Sequence, residues 1–126
     1  MDFVATARKA GVRIMAGTDA WNPYVFAGFS IHDELEWFVQ AGLSPHQSLQ
    51  AATTDPAEFL GMRDSLGAVR AGFLADLVLL EENPLVDIGA TRGIIAVVAA
   101  GRVFNADSRE QLLAQAEAAA RRPPGG

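Results

Sequence analysis

Val12-Arg13-Ile14-Met15-Ala16-Gly17-Thr18-Asp19 is the stretch on which the reading of this chain turns. The apolar run over 12–17 predicts a buried strand, and the strand ends on a carboxylate. Barrels of parallel strands keep their chemistry at the C-terminal strand tips. Asp19 is therefore the strong candidate here for a metal ligand or a general base. A plainer alternative stands beside it, because an aspartate after a strand also makes an Asx turn or a cap.

Working outward, residues 2–10 predict a short helix closed by Gly11, with Arg8 and Lys9 suited to its last turn. Helix, glycine, strand is the αβ half of an α/β repeat. The chain thus reads as starting in the middle of an architecture. Residues 18–30 predict a loop with Trp21, Tyr24 and Phe26, which either line a pocket or pack the loop against its support. Residues 31–41 predict a helix with Ser30 as N-cap and the acids Asp33 and Glu34 in its first turn. Ser44 caps a second helix with Pro45 at its first position, running to about Ala52. Thr54 or Asp55 caps a third, which Gly61 closes.

After Gly61 the pattern turns to short strands: Leu66–Val69, Ala75–Leu80, Ile94–Val98, and Arg102–Phe104 across a tight turn at Ala100-Gly101. Asp76 reads as a cap or turn residue at the entry to a strand. Asn83-Pro84 breaks the chain between strands. Residues 108–121 predict a helix capped by Ser108, followed by a Pro-Pro-Gly-Gly tail. The organisation falls into 1–62, 63–105 and 106–126.

Composition narrows the function classes. The chain has 126 residues, half of them hydrophobic, which suffices for a core. Fifteen acids against ten Lys and Arg give a net charge of −5, which argues against nucleic acid or an anionic membrane as partner. No segment is long and apolar enough to span a bilayer, and a cytoplasmic location is the default expectation. The absence of cysteine excludes disulfides, thiolate catalysis and Cys-ligated zinc. No glycine pattern of the phosphate-binding type occurs. Thr53 predicts a hydrogen bond at a helix junction, and His46 an exposed side chain.

Several motifs together resemble one family. Ala16-Gly17-Thr18-Asp19 is similar to the last barrel strand of the amidohydrolase superfamily. His32-x-Glu34-Leu35, Ala41-Gly42-Leu43-Ser44-Pro45, Ala51-Ala52-Thr53, Pro56-Ala57 and Leu60-Gly61 resemble the helices that follow it. Leu66-Gly67-x-Val69, Gly72, Ala75-Asp76-Leu77-Val78-Leu79, Asn83-Pro84-Leu85-x-Asp87-Ile88 and Val97-Val98-x-x-Gly101-Arg102-Val103 resemble its small β domain. The likeness covers roughly residues 11–104 and leans to the imidazolonepropionase-like and prolidase-like branch.

The resemblance implies an α/β fold: the last βα portion of a metal-dependent (β/α)8 barrel plus part of the small β domain, ending in a helix. It implies hydrolysis of C–N bonds in amides, cyclic amides or dipeptide-like substrates. Asp19 maps onto the family's metal-binding and catalytic aspartate and His32 onto a position suited to substrate contact, while Trp21 and Tyr24 are candidates for substrate contact through their place in the loop. The implied cofactor is a divalent metal of the zinc type. Its histidine ligands are absent, since His32 and His46 are the only histidines and form no His-x-His pair. The only lysine, Lys9, lies in the first helix. The chain therefore reads as the C-terminal part of an amidohydrolase, inactive alone, its partners being a small amide or peptide-like substrate and the remaining barrel segment in cis or trans. A homo-oligomer stays open. The rival readings are a non-catalytic binding or assembly module and one half of a split hydrolase.

Overall fold

A computed structural model describes residues 2–20 and 22–121. In chain order it holds α1 (Asp2–Lys9), α2 (Ser30–Gln40), α3 (Pro45–Ala52), α4 (Thr54–Phe59), β1 (Leu77–Leu80), a 3-10 helix (Ile88–Arg92), β2 (Ile94–Ala99), β3 (Arg102–Phe104) and α5 (Ala106–Ala120). Helices thus come first and a small antiparallel sheet follows, with strand order β1-β2-β3. No helix among the described residues is long and apolar enough to cross a membrane.

The core forms where α2, α3 and the 3-10 helix meet. Leu35 and Phe38 of α2, Leu43, Ala51 of α3 and Ile88 are buried together. Leu35 and Phe38 are three residues apart and share a helix face. Each large side chain buried this way stabilises the fold by about 1.5–3 kcal/mol. Ser48 is fully buried, and its Oγ donates to Leu35 O at 2.8 Å, so the α2–α3 contact satisfies its one deep hydroxyl. Ser44 and Gln47 form the reciprocal capping box that Ser44-Pro45 predicts at the start of α3. Thr53 Oγ1 donates to Leu49 O at 2.7 Å, the expected junction bond between α3 and α4. Arg8 of α1 donates to Gly42 O at 2.7 Å and holds that helix against the α2–α3 turn.

The strand expected over 12–17 pairs with no other strand among the described residues. Exposure nevertheless alternates along it: Ile14, Ala16 and Thr18 are half-buried, while Arg13, Met15, Gly17 and Asp19 are exposed. Ile14 and Ala16 pack on the α2–α3 core. The period of two is that of a strand laid on helices. What is missing is the ladder. Ala16 N–H donates to Ala51 O at 2.8 Å, and Gly17 N–H goes to the Glu34 carboxylate. These two amides are bonded to a helix end and to a side chain instead of to a strand.

The other departures have local causes. Leu66–Val69 is not a strand. Gly67 has φ +87°, and a Cβ there would lie 2.8 Å from both Ala57 Cβ and Thr53 O. The chain turns tightly against α4 at this point and cannot run extended. Ser30 lies inside α2 and accepts from Phe26 N–H at 2.8 Å, folding the preceding loop rather than capping the helix. Asn105, not Ser108, caps α5, and its side chain accepts from Ser108 N–H. Ala99 and Arg102 pair across the turn at Ala100 and Gly101, both at positive φ, as a two-residue hairpin of primed type requires. Asp76 Oδ1 accepts from Ala100 N–H at 2.6 Å, so the entry to β1 also holds this turn.

Candidate functional site

Asp19 stands at the end of the 12–18 segment, exposed and at φ +51°. That region is uncommon outside glycine, and aspartate is among the residues that tolerate it. Asn22 fixes it from downstream: its Nδ2 donates to Asp19 Oδ2 at 2.5 Å, and its backbone N–H to Asp19 O at 3.2 Å. A backbone turn closed by Asn22 N–H on Asp19 O, with the Asn22 amide on the carboxylate, thus presents Asp19. An exposed carboxylate held this way can accept a proton or a positive charge.

Upstream, Gly17 and Thr18 line a cavity of about 500 Å³ between α1, α2 and the loop. Tyr24, Trp37 and Phe38 contribute most of its aromatic wall. Tyr24 has φ +68° and is almost fully exposed. The loop therefore presents its ring rather than packing it. Trp21 lies outside the described residues.

His32 belongs to a different place. It lines an apolar cavity of about 520 Å³ between α2, α3, the 66–74 loop and the sheet, with Leu35, Leu49 and Leu77. Its Nδ1 lies 3.0 Å from Thr91 Oγ1. Thr91 uses its one hydroxyl hydrogen on Ile88 O at 2.9 Å. Its oxygen must then accept, so the His32 proton sits on Nδ1. Burial holds the His32 pKa below its ordinary value, and the nearby Arg92 guanidinium lowers it further against Asp33 and Glu36. The result is a neutral imidazole. Neither the Asp19 carboxylate nor its loop shares a cavity with it. His46 is exposed at the start of α3.

Two members of this region carry no signal of their own in the sequence. Thr91 meets His32 across 59 residues, and Glu34 meets Gly17 across 17. Asn22 was legible in principle, because an amide three residues after an aspartate at a strand end is a turn pattern.

The metal that the resemblance implies is of the zinc type. A zinc-type ion takes about three protein ligands. Among the described residues no group of three or more His, Cys, Asp or Glu could hold a metal ion. Asp19 offers one carboxylate, and His32 lines a different cavity from the one beside the Asp19 segment. The residues of this chain do not by themselves fit the ion.

The sequence pattern of the amidohydrolase family matches residues 2–104. Ochratoxinase from Aspergillus niger is 39% identical over 84 residues, which are 65% of this chain and 16% of that protein. The fold is similar to a Xaa-Pro dipeptidase solved with methionine in its active site, with TM-score 0.73 and 31% identity over 82% of this chain and 25% of that one. It is similar also to molinate hydrolase, with TM-score 0.73 and 28% identity over 80% and 25%. The chain spans a quarter or less of the length of these relatives. The family pattern runs through the apolar segment, the helices behind it and the small sheet beyond, and the chain belongs to the amidohydrolase family.

Proposed function

We propose that this segment works within a metal-dependent amidohydrolase that hydrolyses C–N bonds of amide, cyclic amide or dipeptide-like substrates. Asp19 is its catalytic contribution. The observation that carries this reading is the placement of Asp19: exposed, locked by Asn22, and at the end of a segment whose other face is packed on α2 and α3. One similar protein is a Xaa-Pro dipeptidase, which supports a substrate with an amide bond.

In this reading Asp19 accepts a proton from the attacking water as its oxygen bonds to the carbonyl carbon. The C–N bond then breaks, and Asp19 returns the proton to the departing nitrogen. The metal's ligands are assigned to residues outside this segment, in the same polypeptide or a second one, because this donor set does not fit it. Tyr24, and Trp21 from the same loop, contact the substrate. His32, bonded to Thr91, orients α2 from behind.

The test is hydrolysis of a panel of Xaa-Pro dipeptides and aryl amides by this segment together with the remaining barrel portion. Asp19→Asn should lower kcat about 10²–10⁴-fold, the usual contribution of a positioned proton-transfer group. Activity equal to wild type would remove Asp19 from the chemistry and favour the assembly-module reading.

A further inference from the structure

Glu34 is half-buried near the start of α2, yet it takes no part in that helix's cap or in the Arg92 ion pairs of its neighbours Asp33 and Glu36. Its carboxylate reaches across to Gly17 instead. Gly17 N–H lies 2.9 Å from one carboxylate oxygen and 3.1 Å from the other. One residue earlier, Ala16 N–H donates to Ala51 O. Two consecutive amides of the segment are thus anchored on two different helices, just before Asp19.

That anchoring matters because Asp19 holds a positive φ, a conformation that aspartate tolerates but that is uncommon outside glycine, so contacts on either side help to hold it. Asn22 restrains Asp19 from the downstream side. Upstream, Glu34 supplies the restraint through a charge-assisted hydrogen bond, which is about twice as strong as a neutral one. A half-buried carboxylate also needs such a partner, because desolvating it without one is costly.

We infer that Glu34 is the positioning residue for Asp19: by clamping Gly17 N–H it fixes where the Asp19 carboxylate stands. The inference rests on the reading of Asp19 as the proton-transfer group. Glu34 does not touch the reacting atoms.

The test uses the full 126-residue chain labelled for NMR. In the wild type, a scalar coupling across the hydrogen bond should link Gly17 ¹⁵N to the Glu34 carboxylate carbon. Glu34→Ala should speed amide exchange at Gly17 about ten-fold or more, as loss of a hydrogen bond to a charged group predicts. It should also move the Asp19 amide resonance. Glu34→Gln keeps an acceptor oxygen and should retain most of the protection. Asp19→Asn should leave Gly17 protected. The inference is overturned if the wild type shows no coupling, if Gly17 exchange is unchanged in Glu34→Ala, or if Glu34→Gln loses as much protection as Glu34→Ala. Failure of the Asp19 reading looks different: hydrolysis survives Asp19→Asn while the coupling persists.

Discussion

The helices α2–α4 and the segment 12–20 lie against each other but are built on opposite terms. The helical region carries its own instructions. Ser44, Pro45 and Gln47 start α3 within four residues, and Leu35 and Phe38 put one face of α2 in the core. The segment below Asp19 borrows everything. The amides of Ala16 and Gly17 are satisfied by Ala51 O and Glu34, its packing comes from α2 and α3, and its tip is held by Asn22. A self-sufficient scaffold therefore sets the geometry of a dependent one, and the candidate chemistry sits on the dependent part.

The comparison predicts that scaffold substitutions act globally and in proportion to burial. Phe38→Ala should have the largest effect. It removes a buried ring from the shared core and should cost about 3–5 kcal/mol in chemical denaturation. A loss below 1 kcal/mol would show that the core is not shared. Gly67→Ala comes next, at about 1–3 kcal/mol, because the added Cβ meets Ala57 and the Thr53 carbonyl. Its readout is the melting midpoint. Ser44→Ala removes the hydroxyl half of the capping box and should cost about 1 kcal/mol. Hydrogen exchange should then rise in the first turn of α3 before it rises elsewhere.

The smallest expected effect is at Arg92. Its pairs with Asp33 and Glu36 are half-exposed, so Arg92→Ala should cost about 0.5 kcal/mol or less. It should also raise the His32 pKa, since Arg92 lowers it while Asp33 and Glu36 raise it. The sign for stability follows from proton binding. Below the ordinary value of 6.5, the unfolded chain protonates His32 more readily than the folded one. The contribution is complete above that pH and is lost as pH falls through the lowered native value. Arg92→Ala should shrink this pH dependence, as an NMR titration of His32 beside denaturation at several pH values would show.

Legibility followed the same division. Helix ends were readable where a cap and its partner are neighbours, as at Ser44–Gln47. They were misread where a nearby alternative won, as at Asn105 over Ser108 for α5. The hairpin at Ala100-Gly101 was readable, but its tie to Asp76 spans 24 residues and leaves no pattern. Leu66–Val69 alternated like a strand, yet Gly67 packs too closely on α4 for an extended run. The position of Asp19 was legible from the apolar run before it. The Gly17–Glu34 and His32–Thr91 contacts were not, because each joins residues far apart in sequence through a single hydrogen bond.

The Asp19 region depends on groups beyond its own residues. Zinc stoichiometry tests it most directly. The purified 126-residue chain and its Asp19→Asn variant would be equilibrated with zinc, desalted and assayed for metal by mass spectrometry. The expected result is well under one zinc per chain, equal in both. One tightly held zinc per chain in the wild type, lost in Asp19→Asn, would contradict it.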